Sequence, residues 1–293
     1  MEKNSNRSAI PTLLITFFLW GSLYVGGKLL SGKLPPALIC GLRCLFASPL
    51  LLVMARKELK TPIAREDRKH LFTVAFVGFF LTPCLVQLGI ALTGASMASL
   101  INAMTPVSVS FLAAIMLKEK LTPLRAVCIL LAVAGAAVIT GSAGSRTELL
   151  GVLAAFISIL TQGFNTVTIR KLTAKYPAVL ITCLGTCLSL PFHLITGVWS
   201  VCTSPVTWDR SVFLTLLYLA WAGTGIAQYT WSLSLSRMEA GACSLFYPLQ
   251  SVFSCILGYF LLHEKLPAAF FIGLLLVALD IALNFYDTSC KRS

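Results

Sequence analysis

Four carboxamides, Gln87, Asn102, Asn165 and Gln228, lie deep inside long apolar stretches of this sequence. An amide offers donors and an acceptor without charge, which suits holding a polar solute by hydrogen bonds. Trp20, Tyr24 and Tyr247 occupy similar stretches and bring aromatic surface with a polar tip. Packing, or a place in an interfacial belt, accounts for aromatics equally well. Helical spacing groups these residues with other polar ones. Trp20 and Tyr24 follow Thr16, and Gln87 follows Pro83; Asn102 stands with Ser99 and Thr105. Asn165 stands with Ser158, Thr161 and Thr168; Gln228 with Trp221, Thr224 and Trp231; Tyr247 with Ser244, Ser251 and Ser254. Contact with a substrate is expected of Trp20, Tyr24, Gln87, Asn102, Asn165, Gln228 and Tyr247. The serines and threonines are expected mainly to join helices.

Arg43 is the cation among them, about eight residues into its stretch. A charge near mid-bilayer costs at least about 2.5 kcal/mol. Two roles stand open for it: counter-charge to a substrate carboxylate or phosphate, or a structural group binding backbone carbonyls freed by a helix break. Pro49, Pro83, Pro106, Pro191 and Pro248 all lie inside spans and each frees the carbonyl four residues earlier, with helix breaks expected at Pro83, Pro106 and Pro248. For Pro106 that carbonyl belongs to Asn102, and for Pro248 to Ser244. Simple kinks that shape packing are the other reading of these prolines.

Covalent and acid–base catalysis find no support. His70, His193 and His263 are isolated, and no Ser/His/Asp set or phosphate-cradling glycine loop occurs. Among the ten cysteines, Cys40/Cys44 and Cys183/Cys187 are one helical turn apart, but no histidine or carboxylate joins them. They read as small apolar fillers and not as a metal site. No enzymatic activity, cofactor or metal is expected.

The elements that must position these side chains follow from composition. Mean hydropathy is +0.86, with 57% apolar and 12% charged residues. A soluble domain carries roughly twice that charged fraction. The apolar residues fall in blocks of about 20, enough to cross the bilayer as a helix. The chain is thus expected to be an all-α integral membrane protein with ten transmembrane helices, near 9–30, 36–55, 70–92, 95–117, 123–141, 148–169, 177–198, 211–235, 240–262 and 267–286. The first block lacks a cleavage pattern and reads as a retained span. The formal charge of +12 sits in short gaps between blocks, with no basic face interleaved with aromatics, so nucleic acid is not an expected partner. Of the 23 Lys and Arg, Lys28, Lys33, Arg146, Arg210 and Lys265 fall on one side, and Arg43 and Arg125 lie within or at the edge of spans. The remaining sixteen fall on the other side when both termini are placed in the cytoplasm. A plasma-membrane (inner-membrane) location is expected.

"MLKEKLTPLR" at 116–125 returns as "LLHEKLPAAF" at 261–270. Shifted by 145, "GASMASLINAMTPVSVSFLAAIMLKEKL" (94–121) overlies "EAGACSLFYPLQSVFSCILGYFLLHEKL" (239–266) without a gap. Shifted by 142, "WGSLYVGGK" (20–28) overlies "QGFNTVTIR" (162–170) more faintly. Five spans per half is an odd number, so the halves, 1–143 and 144–293, should enter the membrane as two inverted five-helix repeats. A site at the interface of such repeats is a transporter architecture.

"FFLWGSLYVGGKLL", the arginine in "ICGLRCLFA" and the run "TPVSVSFLAAIMLKEKL" resemble the EamA-type members of the drug/metabolite transporter superfamily. The resemblance covers nearly the whole chain. It implies export or exchange of small metabolites through a central cavity walled by helices 1, 3, 4, 6, 8 and 9, with helices 5 and 10 peripheral. One departure stands out: Ser251 replaces Pro106 in the second repeat, and its proline comes three residues earlier, at Pro248. The break there should be displaced accordingly.

The expected function is a secondary transporter of a small polar organic metabolite, such as an amino acid, by rocking of the two repeats. An organic-anion or phosphorylated-metabolite exchanger, with Arg43 as counter-charge, is the nearest alternative. A membrane scaffold or lipid-handling protein, homodimeric through Ala132, Ala136 and Thr140, is the alternative of another class. The expected cavity helices hold no carboxylate in their apolar interiors; Glu119 and Glu264 stand at helix ends and Asp280 in the tenth span. Strict proton coupling is not expected.

Overall fold

A computed structural model describes residues 2–118 and 145–263, with side chains from Ala9 onward. The expected fifth and tenth spans, the motif residues Glu119 and Glu264, Asp280 and the proposed dimer face lie outside the described residues. Within them the chain is helical without strands, and eight helices are long and apolar enough to cross a membrane. These are α1 (Ala9–Leu30), α2 (Pro36–Ala55), α3 (Arg65–Thr93), α4 (Ala95–Met116), α5 (Arg146–Thr173), α6 (Ala178–Thr203), α7 (Arg210–Arg237) and α8 (Ala240–Leu262). Val53, Ile195, Trp199 and Phe260 point outward, each more than 60% exposed. In water that would be a liability; against lipid it is the expected surface.

Local chemistry sets the ends. Pro36 opens α2, where a missing N–H costs nothing. Ser145 accepts from the Glu148 N–H at the start of α5, and Asp209 accepts from the Val212 N–H at the start of α7. Gly94, at φ +98°, turns α3 directly into α4.

Four helices are irregular inside, three of them beside a proline and α7 without one. α3 and α7 each carry a π-helical stretch, Val74–Leu81 and Leu219–Ile226. α4 breaks at 103–104 and resumes at Thr105-Pro106; α8 breaks at 245–246 and resumes at Tyr247-Pro248. The α8 break follows its proline and sits three residues earlier than a shift of 145 would put it. Pro49 and Pro191, by contrast, are carried inside continuous helices.

Packing runs mostly between the two halves of the chain, and the pairings come in twos. α1 lies on α8 as α4 lies on α5; α1 lies on α7 as α5 lies on α3; α2 lies on α7 as α6 lies on α3. Where α2 packs on α6, Gly41 lies against the His193 backbone and the Cys44 thiol reaches the Thr186 carbonyl at 3.4 Å. Hydroxyls join helices, as the stripes suggested: Thr16 with Thr230 at 2.7 Å, Thr82 with Thr161 at 2.8 Å, and Ser251 to the Ser99 carbonyl at 2.6 Å.

Candidate functional site

All eight helices contribute to a cavity of about 120 Å³ between the halves. Drug-sized ligands occupy pockets of roughly 300 Å³ or more, so this space suits a small metabolite. Its polar wall is mostly uncharged. Trp20 and Tyr24 come from α1, Thr82 and Pro83 from α3, Asn102 from the α4 break, and Gln162 from α5. Thr186, Ser189 and His193 come from α6, Thr224 and Gln228 from α7, and Tyr247 and Gln250 from α8. Arg43 enters from α2 and is the one charged lining residue apart from any charge on His193.

The helix irregularities explain why polar groups gather here. Pro83 cannot donate to the Phe79 carbonyl, and His193 Nε2 takes that place at 2.9 Å. Cys40 donates to the Pro83 carbonyl at 3.3 Å. At the α4 break, Thr105 donates to the Asn102 carbonyl at 2.6 Å, while the Asn102 amide donates to Ala98 and faces Ser158. Each freed backbone group thus draws a side chain from a neighbouring turn or helix into the middle of the bundle.

Two tyrosines and two glutamines form matched pairs. Gln162 donates to the Tyr247 hydroxyl at 2.6 Å, and Gln250 donates to the Tyr24 hydroxyl at 3.2 Å. Beside them Phe17, Trp20, Trp231 and Tyr247 form an aromatic layer with centroids 5.1–5.9 Å apart. Trp20 and Tyr247 carry this layer to the cavity wall.

Arg43 is 9% exposed. It donates to Thr224 Oγ1 through Nε at 3.2 Å and through Nη2 at 3.1 Å. Among the described residues no backbone carbonyl and no carboxylate accepts from it. The geometry of an arginine that caps carbonyls freed by a break is therefore not the one found.

Of the seven side chains singled out for substrate contact, Trp20, Tyr24, Asn102, Gln228 and Tyr247 line the cavity. Gln87 and Asn165 stand outside its lining. Gln87 donates to the Gly27 carbonyl at 3.1 Å, and Asn165 lies against Gly78 with neither amide atom partnered among the described residues. Both amides face a glycine on the opposing helix, and the close helix approach that glycine permits leaves no space for a solute there. Pro83 lines the cavity, whereas Pro106 and Pro248 act only through the breaks they start. Trp221 turns outward, 49% exposed, and donates to the Phe46 carbonyl at 3.1 Å. The i→i+5 turns of the π stretch rotate it off the stripe that Thr224 and Gln228 share.

Sequence reasoning missed Gln162, Gln250, Thr224 as the Arg43 partner, and His193. Gln162 is four residues after Ser158 and Gln250 three after Tyr247, so both lie on faces already marked as polar. His193 was legible only through Pro83, whose freed carbonyl needs a donor.

Outside the membrane-length cores, two ion-pair clusters join the halves. Lys33 Nζ meets Asp209 Oδ2 at 2.7 Å, and the Thr207 N–H donates to the Lys33 carbonyl. Lys175 Nζ meets Asp67 at 3.0 and 3.1 Å, with Tyr176 donating to the same carboxylate at 3.0 Å. Shifting by 142 carries Lys33 onto Lys175 and Asp67 onto Asp209. The neighbours match too: "KLP" at 33–35 corresponds to "KYP" at 175–177, and "DR" at 67–68 to "DR" at 209–210. Hydrogen bonding to Lys33 and to the helix start holds the Asp209 carboxyl below its ordinary range, and Asp67 raises the Lys175 ammonium above its own.

The profile of the EamA-like transporter family matches the chain twice, over residues 7–141 and 149–286. An uncharacterized transporter of Bacillus subtilis is 24% identical, over 92% of this chain and 90% of its own length. An Escherichia coli protein named "Probable amino-acid metabolite efflux pump" is 25% identical, over 99% of this chain and 98% of its own length. A Salmonella typhimurium protein of the same name is 24% identical, over 96% and 95%. A crystal structure of a protein 20% identical in sequence superposes with a TM-score of 0.74, covering 98% of this chain and 99% of the other, which shows a shared fold. With its eight described membrane-length helices and these relatives, the chain is a multi-pass membrane protein and belongs to the EamA-like transporter family.

Proposed function

We propose that this protein is a secondary transporter of a small polar organic metabolite, such as an amino acid, working by alternating access. Ten helices in two inverted five-helix repeats, with both termini cytoplasmic in the plasma membrane, would carry it. The observation that supports this reading best is one central polar cavity between the halves, accompanied by cross-half ion pairs at matched positions. In the inverted arrangement those pairs stand on opposite faces of the membrane, Lys33 with Asp209 on one and Lys175 with Asp67 on the other. Both members of the Lys33–Asp209 pair are open to water, whereas Asp67 is buried beneath Lys175 and Tyr176. The relatives named as amino-acid metabolite efflux pumps support the substrate class.

Reconstitution tests it. Liposomes loaded with an unlabelled amino acid should accumulate the labelled compound by counterflow, and empty liposomes should not. Absence of counterflow across a panel of amino acids, nucleotides and quaternary amines would leave the scaffold or lipid-handling reading standing. Carriage of phosphorylated metabolites in preference to amino acids would establish the exchanger alternative.

A further inference from the structure

We infer that the transported solute carries one carboxylate, which Arg43 binds between α2 and α7, and that amines or amides lacking this group are rejected. The inference rests on the transport reading above and sharpens it. Arg43 is buried, yet among the described residues its only partner is the neutral Thr224 hydroxyl, reached through Nε and Nη2. Among the described residues Nη1 has no hydrogen-bond partner, and no aspartate or glutamate lines the cavity. The described ion pairs belong to Lys33 and Lys175, far from it in the fold. A buried cation facing only neutral groups lacks the counter-charge that offsets its desolvation. The planar guanidinium fork matches the two oxygens of a carboxylate.

The rest of the wall says which anion fits. His193 spends its Nε2 proton on the Phe79 carbonyl, so Arg43 is the one donor group of full charge, suited to a monoanion more than to a phosphate dianion. Gln162 and Gln250 commit their NH₂ groups to Tyr247 and Tyr24, which leaves their carbonyl oxygens as acceptors. Together with the faces of Trp20 and Tyr247 these can receive the ammonium of an amino acid. Recognition then has two poles, a charged one for the carboxylate and a neutral one for the amine.

The test is thermal stabilisation of the purified protein, since a ligand that binds the native state raises its melting temperature. The probes are alanine, threonine and leucine, the carboxamide and the decarboxylated amine of each, and inorganic phosphate. At least one acid should raise the melting temperature, while its amide and amine leave it unchanged. Arg43→Lys, which keeps the charge but loses the fork, should weaken that shift less than Arg43→Gln, which should raise the half-saturating concentration at least about thirty-fold. Stabilisation by amides or amines equal to that by the acids would overturn the inference. So would a larger effect of phosphate, or no effect of any acid. The comparison of ligands uses the unaltered protein, so it decides the matter even where Arg43→Gln does not fold. Acids that bind without counterflow would sink the transport reading and leave the carboxylate requirement; counterflow of amines as fast as acids would do the reverse.

Discussion

Asn165 is buried, carries an amide, and still stands apart from the cavity, because Gly78 on α3 gives it a surface of bare backbone to lie on. A methyl group at Gly78 would meet the Asn165 amide within any tolerable contact distance. Gly78→Ala should therefore destabilise the protein by about 1–3 kcal/mol, the usual cost of overpacking. Asn165→Ala in the same chain should restore most of that loss, as a double-mutant cycle in thermal unfolding would reveal. A double variant no more stable than the single one would mean that the amide is not what the methyl group strikes. Asn102 and Gln228, in contrast, line the cavity. Asn102→Ala and Gln228→Ala should reduce counterflow at least about tenfold while the yield of folded protein stays near that of the parent. Parallel loss of folded protein and activity would assign them to packing instead.

At the scale of elements, the two π stretches and two helix breaks set where side chains point, and the ion pairs set which elements move together. If the pairs are latches on opposite faces, breaking each should open the cavity to a different side. Asp209→Asn should expose Cys40, a lining residue, to an impermeant thiol reagent from the Lys33 face. Asp67→Asn should expose it from the Lys175 face, each in a variant that keeps Cys40 as its only cysteine. Labelling from the same side in both variants would contradict the latch assignment. The pH behaviour has a definite sign. The Asp209 carboxyl is held below its ordinary range, so its contribution is complete above that range and disappears as pH falls through the lowered value. The fraction of protein open at the Lys33 face, read as labelling relative to Asp209→Asn at the same pH so that the ionisation of the Cys40 thiol cancels, should stay constant from pH 7 to about 5 and rise only below about 4. In Asp209→Asn it should be high throughout. The Lys175 ammonium is shifted upward by Asp67, so its contribution is complete below the ordinary lysine range and is lost as pH rises through the raised value. That latch should hold at least to about pH 10.

For the whole molecule the question is what drives the cycle. A carrier coupled strictly to protons uses an intramembrane acid whose protonation competes with substrate, and burial moves such an acid toward neutral pH. No carboxylate lines the described cavity. Counterflow in reconstituted vesicles should accordingly run at the same rate, within about twofold, with and without an imposed pH gradient. Uphill accumulation that follows the gradient and vanishes in Asp280→Asn would place a coupling site in the tenth span and refute this expectation.

The sequence by itself determined the class of molecule and the placement of the eight described helices. Blocks of apolar residues marked 36–55 and 240–262, and α2 and α8 occupy those bounds. α3 begins earlier than the apolar block, at Arg65, because the polar turn Arg65–His70 is helical although its residues could not lie in lipid. Proline positions announced the breaks in α4 and α8, including the displacement of the second. Periodicity also showed which polar residues share a face. It could not show where that face turns, since rotation of a helix is decided by what packs against it. Gly27 and Gly78 drew Gln87 and Asn165 into helix contacts, and the π stretch swung Trp221 away from Gln228. Lys33 and Asp209, or Asp67 and Lys175, are more than a hundred positions apart, and only tertiary packing puts them within 3.1 Å. Among the described residues the same packing left Arg43 facing the cavity without a counter-charge, because neither α2 nor its neighbours α6 and α7 place a carboxylate at that depth.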